Sequence, residues 1–337
     1  LVSIGFMKGF SIIICTYNPK KEILERLFNA ILKFESSSCE YEVIIIDNNS
    51  SPSLKQFEYV EYFLKSCLPS KIILEKEPGL TSARIAGIKA AKFDWLIFFD
   101  DDNEPAENYL LQAKLLIEKH PQVGAWGPGK LNVNYINQPE TTFLKKVKWL
   151  FQERYYEGTF FDNNMIEGSE YYPYGTGMIV KNDVLSAYVK NVKSGRYTMS
   201  DRKGNSLMSA GDIQILFTCL QMGYYAGSSN LLQLSHLIDT SKANPKYAAK
   251  LVYALNSSQL KAYQEVFPDH KQNPQRVRNY DVIKVTYSAL RLYRLYQKSY
   301  TRKMYLSKRL GELNARVVAF EVKSPFLLKL FEVLINS

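Results

Sequence analysis

Three consecutive carboxylates, Asp100-Asp101-Asp102, close the apolar run Trp95-Leu-Ile-Phe-Phe99. Ionised side by side they would repel one another. A hard divalent cation such as Mg²⁺ or Mn²⁺ relieves that repulsion, because carboxylate and phosphate oxygens are its preferred ligands. A cation held there would neutralise a departing diphosphate, which is Lewis-acid help to a leaving group. The same triplet also suits a solvated turn, with Asn103 and Pro105 following. Asp47 closes a second apolar run, and its carboxylate suits a nucleobase N–H or a ribose hydroxyl, or else the cap of the next turn. Tyr17 offers a ring to a planar base or to simple packing. Arg84, on a small-residue helix after Gly79, offers a fork to phosphate, a counter-charge to the acids, or an ordinary surface cation.

The elements that carry these residues alternate. Phe10–Thr16, Tyr41–Ile46, Lys71–Leu74 and Trp95–Phe99 read as buried strands, short, continuous and rich in β-branched residues. Between them Glu22–Phe34, Leu54–Leu68 and Leu80–Ala91 read as helices. This βαβαβαβ order predicts an α/β fold with a mostly parallel sheet and right-handed crossovers. Ligands then bind outside the carboxyl ends of the strands. Thr16-Tyr17-Asn18, Asp47-Asn48-Asn49-Ser50 and the aspartate run all stand at such ends. Further on, the spacing predicts a helix to about His120, a strand over Val123–Gly129 ending in a glycine-rich bend, and an irregular aromatic stretch over Thr141–Tyr174. Gly175-Thr176-Gly177 then leads Met178–Val180 into a helix. A polar loop over Lys193–Ala210 precedes a helix over Ile213–Met222 with Gly223 behind it, and Leu231–Leu237 reads as a last strand.

Composition narrows the classes. Apolar residues are 46% and charged residues 23% of the 337, which is globular rather than disordered. Cys15, Cys39, Cys67 and Cys219 have no paired or metal-ligand spacing and read as free thiols in a reducing cytoplasm. No apolar stretch approaches the ~20 residues of a membrane span. Leu1–Phe10 lacks the basic start and cleavage site of a secretory signal. No GxGxxG follows a strand, against a dehydrogenase. Thr16-Tyr17-Asn18-Pro19 stands where a nucleotidyltransferase would carry a glycine-rich basic loop.

Thr16-Tyr17-Asn18, Asp47-Asn48-Asn49-Ser50, Gly79-Leu80-Thr81-Ser82-Ala83-Arg84 and Phe98-Phe99-Asp100-Asp101-Asp102 occur in that order. Together they resemble the successive signatures of glycosyltransferase family 2, inverting enzymes with the GT-A fold, over roughly Phe10–His236. The resemblance implies a Rossmann-like, mostly parallel central sheet flanked by helices. It implies a catalytic domain over 8–240, split into a nucleotide-binding half (8–105) and an acceptor half (106–240), with a helical C-terminal extension over 241–337. Tyr17 would stack on the base, Asp47 bind base or ribose, and Arg84 hold the nucleotide. Asp102 with Asp100 would form the DxD-type ligand set for Mn²⁺ or Mg²⁺, with Asp101 beside ribose and phosphates and His236 as a further metal ligand. Asp212, opening a late helix, would be the catalytic base, and Gly211 stands where many relatives have Glu. Gly175-Thr176-Gly177 would let the backbone approach donor or acceptor. The expected donor is a nucleoside-diphosphate sugar, UDP-linked first, and the acceptor a saccharide or lipid-linked saccharide of a bacterial surface polysaccharide. A degenerate nucleotide-sugar binder or scaffold of the same fold is the alternative.

The excess charge lies at one end. From Lys271 onward there are 14 Lys and Arg against 4 Asp and Glu, the whole of the +10. Between Asp281 and Leu310 the spacing predicts an amphipathic helix, with Arg291, Arg294, Lys298 and Arg302 on one face and Tyr293, Tyr296, Tyr300 and Met304 on another. Such a helix either packs on the catalytic domain or lies on an anionic membrane surface, with Leu327, Leu328, Leu330 and Phe331 as an apolar anchor. No nucleic-acid recognition motif accompanies the charge.

Overall fold

The structure, a computed structural model, describes residues 8–34, 39–164, 169–199, 201–202, 207–270, 276–291 and 299–336. The first third alternates as β1 (Gly9–Thr16), α1 (Lys21–Ile31), β2 (Glu40–Asp47), α2 (Glu58–Ser66), β3 (Ser70–Leu74), α3 (Leu80–Ala90) and β4 (Trp95–Asp100). There follow β5 (Asn103–Pro105), α4 (Tyr109–Lys119), β6 (Val123–Tyr135), α5 (Thr142–Val147), β7 (Arg154–Tyr155), β8 (Thr159–Asp162) and β9 (Met178–Lys181). The remainder is α6 (Asn182–Lys193), α7 (Gly211–Gln221), β10 (Tyr225–Ile238), α8 (Pro245–Val266), α9 (Asn279–Arg291), α10 (Ser299–Ala319) and α11 (Phe326–Asn336).

The sheet runs β3-β2-β1-β4-β9-β6-β10-β5. β3, β2, β1 and β4 are parallel neighbours, and β6 is parallel to β10. Short β9 is antiparallel to both β4 and β6, so all six long strands point the same way. The β-branched interiors of β1 and β2 are buried on both faces, which is why they read as continuous apolar runs. Register then sets the site. Thr16 lies opposite Asp47, and Cys15 opposite Asp100, so three strand ends open onto one edge.

Several expectations change. The stretch over Leu54–Leu68 is broken at Phe57, an extended residue between a single 3₁₀ turn and α2. Met178–Val180 is strand, with the expected helix following at once as α6, and Val123–Gly129 and Leu231–Leu237 are parts of strands of 13 and 14 residues. Of the basic helix expected over Asp281–Leu310, the described parts are helical, in α9 up to Arg291 and in α10 from Ser299; Tyr293, Arg294, Tyr296 and Lys298, and the side chain of Tyr300, lie outside the described residues. Met304 packs against the main core, so it is no part of an exposed face. Leu328 is buried, and Leu327 and Phe331 pack beside it against α9 and α10 residues, leaving Leu330 outward. No helix among the described residues is long and apolar enough to cross a membrane.

Candidate active site

Six of the expected residues, Arg84, Asp100, Gly175, Thr176, Asp212 and His236, line one cavity of about 1370 Å³. It opens from the carboxyl edge of the sheet toward α8 and α10, which contribute Leu251, Gln259 and Lys308 to its far wall. The segment before β9 is what draws the parts together. A Cβ at Gly175 would lie 2.8 Å from Asp212 Oδ2 and 3.3 Å from Arg84 Nη2, so only a bare backbone fits between them. One residue on, the Thr176 hydroxyl donates to Asp100 Oδ2 at 3.2 Å. Gly177 places its carbonyl 2.6 Å from the Tyr109 hydroxyl, anchoring the segment to α4.

The three aspartates have separate surroundings. Asp100 faces Thr176 and donates its own backbone N–H to the side-chain oxygen of Asn103. Asp101 is bonded to the Thr16 hydroxyl, and burial together with the neighbouring Asp102 charge pushes its carboxyl up to about 6. Asp102 meets Lys242 Nζ at 2.8 Å and His236 Nε2 at 3.3 Å. Burial works against its ionisation, but Lys242 and then His236 hold it well below the usual carboxylate range. Antiparallel pairing of β5 with β10, His236 opposite Asn103, fixes that juxtaposition, and the Leu237 N–H donates to the Asp102 carbonyl at 2.8 Å.

His236 Nδ1 lies 2.9 Å from the Phe151 carbonyl, so Nδ1 carries the hydrogen. Nε2 then meets Asp102 either as the N–H of an imidazolium or as a lone pair with a cation between. Burial opposes the imidazolium and the Asp102 charge favours it, with a net rise in proton affinity. A histidine whose second nitrogen is tied to a carbonyl is also how metal-binding imidazoles are oriented, so the pair fits a divalent ion. Among the described residues no three His, Cys, Asp or Glu side chains gather around one point. Asp100, turned to Thr176, is not brought into a cluster with Asp102 and His236.

Elsewhere on the edge, Tyr17 is 64% exposed. Asn18, at φ 47°, accepts from the Ser51 N–H and donates its own N–H to the Ser50 hydroxyl, tying the ends of β1 and β2. Asp47 is buried and accepts from the Ser50 N–H, the Leu54 N–H and the Ser53 hydroxyl. These bonds hold it below the ordinary carboxylate range against its burial. What this carboxylate does here is cap the turn after β2, leaving about one of its four acceptor sites for a base or ribose. Gly79, at φ 123°, opens α3 and donates its N–H to Asn48. Arg84 is buried, in an ion pair with Asp201 from the loop before α7. Asp212 is half-buried; burial, then the Asp201 charge, raises its proton affinity, with Arg84 and Arg202 pulling the other way.

Sequence reasoning missed Asp201, Arg202 and Lys242. Lys242 follows β10 by a few residues and could have been sought once His236 was placed. Asp201 and Arg202 stand in a polar loop with no periodicity, and only the folded chain brings Arg202 to the cavity and Asp201 against Arg84 behind it.

A parallel α/β sheet with acidic strand ends, an inserted antiparallel strand and a cavity on its carboxyl edge is the GT-A plan of nucleotide-sugar transferases. The chain belongs to glycosyl transferase family 2, whose model matches residues 11–189. It is 31% identical over 138 residues to a chondroitin synthase of Escherichia coli, covering 40% of this chain and 19% of that protein. It is 29% identical over 114 residues to the poly(ribitol-phosphate) beta-N-acetylglucosaminyltransferase TarS of Staphylococcus aureus strain Mu50, covering 34% of this chain and 20% of that one. The matched part thus spans about a fifth of the length of these relatives. In fold it is similar to a crystal structure of GalNAc-T7 with UDP, GalNAc and Mn²⁺, at a TM-score of 0.50 and 16% identity over 98% of this chain and 57% of that one.

Proposed function

We propose that this chain transfers a sugar from a nucleoside-diphosphate sugar, UDP-linked first, to a hydroxyl of a saccharide or lipid-linked saccharide, with inversion, in bacterial surface-polysaccharide synthesis. The observation that carries this reading is the meeting of Asp212, Arg84 and, through Thr176, Asp100 around Gly175 on one cavity wall. An acceptor hydroxyl is a poor nucleophile until a positioned base takes its proton. Asp212 takes that proton as the hydroxyl oxygen bonds to the anomeric carbon and the bond to the diphosphate oxygen breaks on the opposite side. Arg84, Lys242 and Arg202 stand ready to balance the charge that builds on the diphosphate. Asp102 and His236 would hold a divalent cation, Mn²⁺ or Mg²⁺, which supplies Lewis-acid neutralisation of the same charge. Tyr17 offers its exposed ring to the base, and Thr16 with Asp101 borders the ribose. One curated relative is named for making chondroitin and the other for transferring N-acetylglucosamine to poly(ribitol-phosphate), and the structural neighbour carries UDP. That is why UDP-sugars come first in the donor panel.

The test is a panel of nucleotide sugars incubated with the protein, with and without Mn²⁺, assayed for released nucleoside diphosphate and, with oligosaccharide acceptors, for product anomeric configuration by NMR. Turnover of at least one donor with inverted product is expected. Binding of nucleoside diphosphate without turnover of any donor would favour the degenerate binder instead.

The setting is an anionic membrane surface, such as the inner face of the cell membrane. In α9, Tyr280, Ile283, Tyr287 and Leu290 are exposed along one face, and in α11 Phe326, Leu330 and Val333 are. These apolar faces stand in the segment that holds the chain's excess of Lys and Arg, the combination that favours an interfacial helix on acidic lipid. Sedimentation with phosphatidylglycerol vesicles should carry the protein down in low salt. Ile283→Ser with Leu330→Ser should abolish this; equal binding by that variant would remove the proposal.

A further inference from the structure

Asp201 is fully buried in the loop between α6 and α7, and every oxygen of its carboxylate is engaged. Oδ1 accepts the N–H groups of Ala210 at 2.5 Å and Gly211 at 2.8 Å. Oδ2 pairs with Arg84, and the Asp201 N–H donates to the Thr81 hydroxyl of α3 at 2.9 Å. Ala210, the residue before α7, has no side-chain cap bond of its own. The N–H groups that open a helix need an acceptor, and a negative charge there is favoured. Asp201 provides both from another part of the chain.

The position of Gly211 makes the arrangement specific. A Cβ there would lie 2.3 Å from Asp201 Oδ2 and 3.1 Å from Arg84 Nη1. The Asp201 carboxylate therefore fills the space into which a side chain at 211 would grow, one residue before Asp212. We propose that Asp201 is a positioning residue for acceptor activation: from the α6–α7 loop it supplies the carboxylate that Gly211 cannot carry, aims Asp212 by fixing the first turn of α7, and holds Arg84 beside it. This rests on the transferase reading. The charges around Asp212 are Arg84 from α3 and Asp201 and Arg202 from the loop, with the Ser209 hydroxyl and the Ile213 N–H also contacting its carboxylate. Removing the Asp201 charge leaves Arg84 and Arg202 unopposed around Asp212, so Asp212 should give up its proton at lower pH.

Two variants test this. Asp201→Asn keeps shape and one acceptor but removes the charge. It should lower kcat by about 10- to 100-fold, the cost of a misplaced catalytic group, leave donor KM within about threefold, and move the acidic limb of the kcat–pH profile downward. The pair Asp201→Gly with Gly211→Asp moves the carboxylate onto α7 and should recover at least about tenfold over Asp201→Gly alone. A loss of activity with an unmoved pH limb, or a double variant no better than Asp201→Gly, would overturn the inference. The ¹³C carboxyl titration of Asp212, assigned against Asp212→Asn, needs no turnover. If the wild type turns over no donor, the transferase reading has failed on its own, and the titration still decides whether Asp201 governs Asp212. If Asp201→Asn does not fold, the relocation pair carries the test.

Discussion

Gly175→Ala is the most direct probe of the cavity wall, because its consequence can be worked from distances. The added methyl would sit 2.8 Å from Asp212 Oδ2 and 3.0 Å from Asp212 Cβ, where ordinary contact begins at 3.4 Å. Asp212 must retreat by about 0.6 Å, or the segment before β9 must move by as much and take the Thr176–Asp100 hydrogen bond with it. Overpacking of this kind costs about 1–3 kcal/mol of stability. A shift of ~1 Å at a catalytic group can cost ~100-fold in rate, so about 10- to 100-fold in kcat is expected here. Gly195→Ala is the control. Its methyl meets nothing within 4 Å, but φ is +73°, which costs a non-glycine residue about 1–2 kcal/mol. Steady-state kinetics on the preferred donor, with thermal melts alongside, should show both variants destabilised and only Gly175→Ala slowed. Wild-type kcat in Gly175→Ala, or equal slowing in the two, would refute the placement of Asp212 and Arg84 around Gly175.

Asp212→Asn should lower kcat by about 10²–10⁴-fold with nucleotide affinity retained, measured by turnover and calorimetric titration with UDP; near-normal transfer would remove Asp212 as base. Because burial and Asp201 raise the Asp212 pKa, its ionised form is less favourable folded than unfolded, and stability falls as pH rises from the unfolded pKa through the folded one. Asp212→Asn should therefore keep or raise Tm at neutral pH; a marked drop would contradict this electrostatic reading. For activity the sign is opposite: the base must be ionised, so the acidic limb of kcat should lie above the ordinary carboxylate value of 3.8, and a limb at or below it would be inconsistent. His236→Ala should raise the Mn²⁺ concentration for half-saturation by at least about tenfold, read by electron paramagnetic resonance of free Mn²⁺; unchanged affinity would exclude His236 as a ligand.

The residues most legible in sequence were those delivered by buried strands. Ile12–Ile14 and Trp95–Phe99 are apolar throughout because both faces are covered, so the polar residues that follow them announce the sheet's carboxyl edge. The far half was less legible for identifiable reasons. Gly127 and Gly129 look like a bend, yet they lie in β6, where a Cβ would meet Pro173 at 2.7 Å and the Ser229 backbone at 2.5 Å. Ala226–Asn230 falls outside the strand read over Leu231–Leu237, yet Ser228 and Ser229 are buried in β10 against Arg154 and Thr159. Glycine and serine here answer to close approach and to buried polar partners, neither of which leaves a period. Asp47 was legible as a strand-end acid, but its turn-capping bonds depend on where Ser53 and Leu54 return. The loop that carries Asp201 offered no pattern at all.

The pairing of β5 with β10 has a consequence for how this site can diverge. Main-chain hydrogen bonds hold Asp102 and His236 face to face, in addition to the 3.3 Å contact between their side chains. Either side chain can be exchanged while the other keeps its place. A carboxylate or amide at 236 would present a different donor atom at the same point, so in the proposed cation site a preference for one ion over another could drift by single substitutions, with the fold already in position.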